Sequence, residues 1–232
     1  MRLAIFLPSF GDGGVERMLV NLAGGLAQLG ADVDFLTRRR EAPFLDGLPE
    51  AVKIIELGAD GSLKVLASLV RYLRAARPDF VLCGKDRAGR SALHARRLSG
   101  VDFALIMRPG TTVSERMARR SIYKRWRAFS LIRGVYREAA AVVGNSAGVV
   151  ADIKAIAGLP DDRMHLIRNP VVTADLQAQA AALETIRPGI RAEEVHFASL
   201  EVYQTNGFGI CYRTGRGVGY SYLERPEFKE GD

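Results

Sequence analysis

Small and charged residues cluster near the start of the chain, in residues 8–17, PSFGDGGVER. This segment follows a short apolar run and precedes a stretch of helical periodicity. Backbone amides at the start of a helix bind phosphate groups, and glycines let a ligand approach the main chain closely. The structural alternative is a tight turn that needs glycine, with Glu16 complementing the helix dipole. The segment therefore predicts either a phosphate-binding loop or a simple turn.

A dinucleotide-binding fingerprint requires glycines at the first, third and sixth positions of such a loop. Gly11 and Gly13 occupy the first and third positions, but Glu16 stands at the sixth, where a carboxylate repels pyrophosphate. The basic run RRR at residues 38–40 could hold the additional phosphate of NADP. An NADP-binding oxidoreductase domain is therefore an alternative.

A second group of candidate ligands follows the predicted fifth strand. Arg108 could hold a phosphate or carboxylate in a fork of two hydrogen bonds, and Thr111 and Thr112 could bind sugar hydroxyls. A solvated surface turn is the alternative. We expect His94 on a helix surface and Cys83 as a buried thiol at a strand end, so neither is assigned a catalytic role.

The positive charge is concentrated in one segment. The net charge is +7, and residues 108–138 carry nine Lys or Arg against two Glu. The pattern from Arg116 to Arg137 predicts either a core-facing helical stripe with a charged back or an amphipathic element that contacts anionic lipid. No recognised nucleic-acid-binding pattern accompanies it, so we expect no nucleic-acid partner. The apolar residues with roughly helical spacing are Ile122, Trp126, Phe129 and Ile132.

The composition predicts a globular protein of the cytoplasm. Of the 232 residues 48% are hydrophobic, which suffices for a buried core. The first apolar run is too short for a secretory signal, and no run approaches the roughly 18 residues that span a bilayer, so any membrane contact should be peripheral. The two cysteines and three histidines show no metal-type spacing. We therefore expect a reducing compartment, no disulfide and no metal site.

Up to about residue 172, short β-type apolar runs alternate with longer segments of helical period. This alternation is typical of βαβ units and predicts a Rossmann-like, doubly wound α/β fold with a mainly parallel sheet and helices on both faces. Strands are predicted at residues 3–7, 33–37, 52–57, 80–83, 103–107, 141–143 and 165–167, and helices at residues 16–29, 62–77, 88–98 and 146–156. Gly30 and Ser62 are expected to end and to start two of these helices.

The character of the chain changes near residue 173. Residues 173–184 are rich in Ala and Gln and favour a helix, which Pro188 and Gly189 interrupt. Beyond residue 195 the sequence is rich in Gly and Tyr and shows no βαβ pattern. We therefore divide the chain into a domain at 1–172 and a linker helix with an atypical tail at 173–232.

Three ordered motifs within residues 1–172 resemble glycosyltransferase family 4, of the GT-B fold. GGVER at 13–17 is similar to the family's loop beside the donor phosphate and the acceptor. VVGNS at 142–146 is similar to a motif near the end of the acceptor-side domain. The segment from Asp161 to Val171 resembles the I-x-N-P-V strand and turn that leads into the interdomain linker.

The resemblance implies retaining, metal-independent hexosyl transfer from a nucleotide sugar to a glycan or lipid-linked acceptor, with no cofactor besides that donor. This chain would supply the acceptor side. Catalysis would depend on positioning and on amides and cations that stabilise the departing diphosphate. The predicted substrate-binding residues come from this resemblance and from the loops discussed above. They are Gly13, Gly14, Glu16, Arg17, Arg108, Thr111, Asn145, Ser146 and Asn169.

The donor-binding motifs of the family do not occur after Pro170. The tail is then either a frame-disrupted remnant or a divergent appendage, and the chain alone is expected to be inactive. Many relatives carry a histidine near the fifth-strand loop that this chain lacks, so no catalytic residue is assigned. The alternative function is a non-catalytic module that binds a glycan, a membrane or a partner chain.

Overall fold

The computed structural model describes residues 1–9, 13–39, 44–58, 61–169, 173–205, 215–216 and 227–228. Gly11, Arg40 and most of the Gly/Tyr-rich tail lie outside the described residues. The chain forms two compact units, Met1–Pro170 and Val171–Asp232. No helix among the described residues is long and apolar enough to cross a membrane.

The first unit contains a seven-stranded sheet in which every neighbouring pair is parallel. The strands are largely continuous apolar runs, as expected where helices exclude water from a parallel sheet. Their order across the sheet is β3-β2-β1-β4-β5-β6-β7. They are β1 (Arg2–Leu7), β2 (Asp32–Thr37), β3 (Lys53–Glu56), β4 (Phe80–Cys83), β5 (Ala104–Met107), β6 (Ala141–Gly144) and β7 (Met164–Leu166).

In the described part of this unit six helices connect the strands, together with 3-10 turns at Leu45–Gly47 and Asp161–Arg163. The predicted fold class and the order of strands and helices are confirmed, with most element ends within one or two residues of the predicted positions. The helices are α1 (Gly14–Gln28), α2 (Ser62–Ala76), α3 (Asp86–Ser99), α4 (Val113–Met117), α5 (Ile122–Glu138) and α6 (Ala147–Ala157).

The core is divided by the sheet into two clusters because successive strand residues point to opposite faces. Ala4 and Phe6 of β1 pack with α2, α3, α5 and α6, whereas Leu3, Ile5 and Leu7 pack with α1. Right-handed crossovers explain this division. The connection from β1 to β2 through α1 moves toward one edge of the sheet, whereas each later connection that contains a helix moves toward the other edge, so α1 covers one face and the other helices cover the opposite face.

The direction of strand addition reverses between β1 and β4. In open α/β sheets the crevice beyond the carboxyl ends of the strands at such a switch point is the preferred ligand site. The loops after β1 and β4 therefore position the candidate site.

Glycine geometry sets two helix ends. Gly30 has φ of 86° and its amide donates to the carbonyl of Ala27, which confirms the predicted C-terminal signal of α1. The prediction that Ser62 caps α2 is wrong, because Gly61 is the N-cap and no side chain caps this helix. Gly61 has φ of 81°, a conformation that glycine adopts at little cost.

The core-stripe interpretation of the basic segment is wrong for its first half. Ile122 and Trp126 are 84% and 67% exposed, whereas Ile132, Val135 and Tyr136 in the second half of α5 are buried. The part of α5 from Phe129 onward therefore packs against the core, and the first turns do not.

The second unit contains a helical hairpin. Helix α7 (Thr173–Thr185) agrees with the predicted linker helix, and α8 (Ala192–Thr205) packs against it. The hydroxyl of buried Ser199 donates to the carbonyl of Ala178, at 3.2 Å. Two short antiparallel strands, β8 (Gly215–Arg216) and β9 (Glu227–Phe228), follow.

Candidate functional site

An ion pair joins the two loops at the switch point. Lys85, which follows β4, places Nζ 2.5 Å from Oε1 of Glu16 in the first turn of α1. The same ammonium donates to the carbonyl of Ser9 after β1, at 2.9 Å. Glu16 is only 4% exposed, so its charge is largely removed from water. The pair holds the start of α1 against β4 and offsets the carboxylate charge that would repel a phosphate.

The two glycines of the first loop have different surroundings. A Cβ at Gly13 would lie 2.8 Å from Oε2 of Glu16, so a larger residue here would displace this carboxylate oxygen. A Cβ at Gly14 would meet no heavy atom of the described residues within 4 Å. Gly14 begins α1, and its amide has no intrahelical partner because of its position. The open space beside Gly14 suits a ligand that approaches this amide.

A cavity of about 480 Å³ opens at this edge of the sheet. The loops after β4 and β5 form one side, and the packed half of α5 forms an apolar wall. Thr111, a predicted ligand, lines the cavity together with Lys85. The other lining residues are Val15, Gly84, Asp86, Arg87, Arg90, Pro109, Gly110, Val113, Arg116, Ala128, Leu131, Ile132 and Val135.

Asp86 is held in the cavity wall by two donors. The Tyr136 hydroxyl donates to Oδ1 at 2.8 Å, and Arg116 Nη2 lies 3.0 Å from Oδ2. Burial first, and the Asp86 charge second, raise the pKa of Tyr136 well above its usual value. The phenol therefore stays protonated and keeps donating to Asp86 throughout the neutral range.

Three other predicted ligands meet at the ends of β5, β6 and β7. The buried guanidinium of Arg108 donates to Oδ1 of Asn169 at 3.0 Å and to the carbonyl of Ile167 at 3.3 Å. Asn145 donates to the carbonyl of Gly110 at 3.2 Å. Burial lowers the pKa of Arg108. These contacts tie the β5 loop to the segment that follows β7.

Two atoms of this second group lack a hydrogen-bond partner within the described part of the chain. They are Nη1 of Arg108 and Oδ1 of Asn145, and both are buried. Buried polar atoms in native proteins are almost always paired, often with ordered water or a ligand. Both atoms are therefore positions at which a bound molecule could supply the missing partner.

The structure thus separates the predicted site residues into two groups. Gly13, Gly14 and Glu16 lie at the β1–β4 switch point, and Arg17 is exposed one residue further along α1. The second group consists of Arg108, Asn145, Ser146 and Asn169. Ser146 caps α6, since its hydroxyl accepts from the Val149 amide at 3.3 Å. The binding roles of all these residues stay predictions.

Lys85, Arg87 and Arg90 also line the cavity, although no sequence motif assigned them a role. Arg87 and Arg90 are three residues apart in α3, so they share one face of the helix and both line the cavity. This i, i+3 spacing after a strand end was the available signal.

Metal-binding groups are not brought together in the described residues, where no group of three or more His, Cys, Asp or Glu could hold an ion. Cys83 is fully buried, and burial raises the pKa of its thiol. It therefore packs as an apolar residue and is a poor nucleophile.

A family model for the glycosyl transferase 4-like domain matches residues 13–170. The chain belongs to the glycosyl transferase 4-like family. The match covers both groups of site residues. It supports a glycosyltransferase domain over the alternative of an NADP-binding oxidoreductase domain.

Solved glycosyltransferases of the GT-B fold show the same architecture. The lipopolysaccharide outer core galactosyltransferase WaaB superposes with a TM-score of 0.52 and 21% identity, over 74% of this chain and 46% of WaaB. HepE from Anabaena, solved in complex with UDP-glucose, gives a TM-score of 0.54 and 16% identity over 78% of this chain and 50% of HepE. The chain spans about half the length of these glycosyltransferases.

A second family model, metallopeptidase family M24, matches residues 142–232. Agropine synthesis cyclase from Rhizobium rhizogenes is 41% identical over 63 residues, 26% of this chain and 16% of that protein. Xaa-Pro dipeptidase from Lactobacillus helveticus is 31% identical over 77 residues, 32% of this chain and 20% of that protein. The chain thus spans a fifth or less of these curated relatives.

Proposed function

We propose that this chain is the acceptor-side half of a glycosyltransferase that moves a hexosyl group from a nucleotide sugar to a glycan or lipid-linked acceptor. The observation that carries the proposal is the cavity at the β1–β4 switch point, beside the first turn of α1. Open α/β sheets bind ligands at that place, and helix N-termini favour phosphate. HepE, a structural neighbour, was solved with UDP-glucose.

In the proposed reaction, the acceptor hydroxyl replaces the nucleoside diphosphate on the anomeric carbon with retention of configuration. The hydroxyl proton leaves with the diphosphate, and neither a metal nor a further cofactor takes part. In this proposal the amide of Gly14 stabilises the departing phosphate. The ion pair between Lys85 and Glu16 holds the first turn of α1 in place in advance, which limits reorganisation during transfer.

The exposed half of α5 supports a peripheral site on the inner face of the membrane. Ile122 and Trp126 lie one helical turn apart, and the rings of Tyr123 and Trp126 stack with centroids 6.4 Å apart. All three side chains are more than 60% exposed. Arg119, Arg120, Lys124 and Arg127 are exposed around them. Aromatic residues surrounded by cations favour an interface with anionic lipid.

The experiment that tests the proposal is calorimetry with UDP-glucose and GDP-mannose. We expect no heat from the chain alone at millimolar ligand, since the separate half should supply the base and ribose contacts. A separately expressed donor half of a full-length relative should bind the nucleotide sugar, and adding this chain should tighten that binding several-fold. Gly14→Val should remove the gain and leave the circular dichroism spectrum unchanged, because a Cβ at Gly14 meets no heavy atom of the described residues within 4 Å.

Micromolar binding by the chain alone would mean that it contains its own donor site, contrary to the proposal. If the chain adds no affinity to the donor half, the non-catalytic binding module becomes the better description. Loss of helix content in Gly14→Val would mark Gly14 as a folding residue. Gly25→Val in α1, which also meets no neighbour within 4 Å, is the matched control.

A further inference from the structure

Arg108 is a buried cation without a counter-charge in the described part of the chain. The residue is 4% exposed, and Nη2 donates to two neutral oxygens, the carbonyl of Ile167 and Oδ1 of Asn169. None of the ion pairs among the described residues includes Arg108. A guanidinium stays charged in proteins, and a buried charge without a partner is costly. The fold therefore favours an anion at this group.

The side chain of Asn145 presents a second unpaired atom at the same place. Because β6 lies between β5 and β7, the Arg108 side chain must pass over the end of β6 to reach Ile167. Asn145 stands at that end, and its amide nitrogen donates to the carbonyl of Gly110 at 3.2 Å. Nη1 of Arg108 and Oδ1 of Asn145 are buried and have no hydrogen-bond partner within the described residues. The end of β6 therefore presents both a donor for an anion and an acceptor for a hydroxyl.

Asn169 is the part of this site that a ligand can replace. Its side chain is exposed, and it offers the Arg108 guanidinium only a neutral amide oxygen, at 3.0 Å. A carboxylate binds a guanidinium through two parallel hydrogen bonds, which gives more energy and more geometric specificity than one bond to an amide. An incoming carboxylate that displaces the Asn169 side chain could therefore occupy Nη1 and Nη2 together.

The site adjoins the cavity at the switch point. Pro109, Gly110 and Thr111 follow Arg108 directly and line that cavity, and Thr111 is exposed. A cleft lined by positive charge raises the local concentration of an anionic ligand. A glycan that holds an acidic sugar at Arg108 could therefore continue into the cavity. The described basic residues that line it are Lys85, Arg87, Arg90 and Arg116, and the acidic one is Asp86.

We infer that Arg108 and Asn145 bind a hexuronate residue of the acceptor glycan, with the carboxylate on the guanidinium and a ring hydroxyl donating to Oδ1 of Asn145. A carboxylate matches the planar fork, and a sugar hydroxyl supplies the proton that a phosphate dianion lacks. This inference rests on the proposed function in that it makes the acceptor an acidic glycan. Its test does not require sugar transfer, since binding is measured directly.

The test is NMR titration of the full chain with four probes. Galacturonate carries both features, galactose only the hydroxyls, acetate only the carboxylate, and inorganic phosphate a different anion. A single sugar should bind with a Kd of about 1 mM, which NMR can follow. We expect galacturonate to bind at least about fivefold more tightly than each of the other probes, because each lacks at least one of the two hydrogen-bonding groups.

A carboxylate built into the chain gives the sharpest variant. Asn169→Asp keeps the bond from Arg108 and supplies the missing counter-charge, so it should weaken galacturonate at least about tenfold and raise the urea midpoint. Asn21→Asp, exposed in the middle of α1, is the matched control for charge and should do neither.

A second variant, Arg108→Lys, keeps the charge and loses the fork. It should weaken galacturonate about tenfold. Thermal melts followed by circular dichroism verify folding, and the comparison of Asn169→Asp with Asn21→Asp decides the question if Arg108→Lys does not fold.

Absence of galacturonate binding, or equal binding of galactose, would overturn the anion site. Equal binding of acetate would overturn the role of Asn145, and equal or tighter binding of phosphate would overturn the assignment to a hexuronate. Full galacturonate affinity in Asn169→Asp would overturn the placement at Arg108. Galacturonate binding without sugar transfer in the reconstituted enzyme would count against the proposed function and leave the hexuronate site standing. Sugar transfer without galacturonate binding would overturn this inference alone.

Discussion

The contact between Gly13 and Glu16 gives a test of how the switch-point loop is built. Gly13 has φ of −91° and ψ of 164°, which alanine adopts without strain. Its Cβ would lie 2.8 Å from Oε2 of Glu16, so Gly13→Ala must shift the carboxylate whose other oxygen, Oε1, contacts Lys85. The expected cost is the value of a charged hydrogen bond, about 1.5–3 kcal/mol, reduced because Lys85 is 35% exposed.

A double-mutant cycle separates this contact from other effects. Alanine is a poorer N-cap than glycine, but that cost is present with or without the Glu16 side chain and cancels in the cycle. Gly13→Ala should therefore cost about 1–2 kcal/mol more in the wild-type background than in Glu16→Ala. With a urea m-value of about 1–3 kcal/mol/M, the excess shifts the midpoint by about 0.5–1 M.

The measurement is urea unfolding followed by circular dichroism at helix wavelengths. Gly14→Ala is the control, since its Cβ meets no heavy atom of the described residues within 4 Å, and it should change stability by less than about 0.5 kcal/mol. An equal cost of Gly13→Ala in both backgrounds would refute the steric argument and assign the effect to the backbone.

Three further predictions concern other parts of the fold. The free energy of unfolding should fall as pH rises above about 10, because Tyr136 loses its proton in the unfolded chain but keeps it in the folded one. Urea unfolding from about pH 8 to 11 measures this dependence. Above about pH 10, Tyr136→Phe should reduce the slope of the free energy of unfolding against pH by about 1.4 kcal/mol per pH unit, and an unchanged slope would contradict this. Trp126 is the only tryptophan, so its fluorescence should shift to the blue with phosphatidylglycerol vesicles and revert with salt, whereas equal shifts with neutral vesicles would refute the anionic-membrane contact. Gly89→Ala should destabilise by about 1–3 kcal/mol because its Cβ would overlap the Met107 sulfur, and a urea midpoint equal to wild type would contradict that packing.

The fold was largely predictable because the determining signals are local. Continuous apolar runs define buried parallel strands, and the right-handed crossover then fixes which face each helix covers. Helix α8 was not predicted, since its residues show no sharp amphipathic pattern and the nearby glycines and prolines indicated loops. The exposure of Ile122 and Trp126 could not be predicted, because helical spacing identifies a stripe but not whether anything packs against it.

The candidate site was predictable only in part. The position of Gly13 and Gly14 at the switch point follows from the strand-helix junction. The partner of Glu16 could not be inferred, because Lys85 lies 69 residues away and meets it only through sheet topology. The hydrogen bonds of Arg108 to Ile167 and Asn169 could not be inferred either, because these partners lie 59 and 61 residues away along the chain.

The measurement that tests the central claim most directly is sugar transfer by reconstituted halves. This chain and the donor half of a full-length relative are mixed with radiolabelled nucleotide sugar and a bacterial lipid extract, and label is counted in the organic phase. Either half alone should give background counts, the mixture should give a lipid-linked product, and Gly14→Val should return the mixture toward background. Equal labelling without this chain, or no labelling although both halves bind their ligands, would contradict its role as the acceptor-side half of a glycosyltransferase.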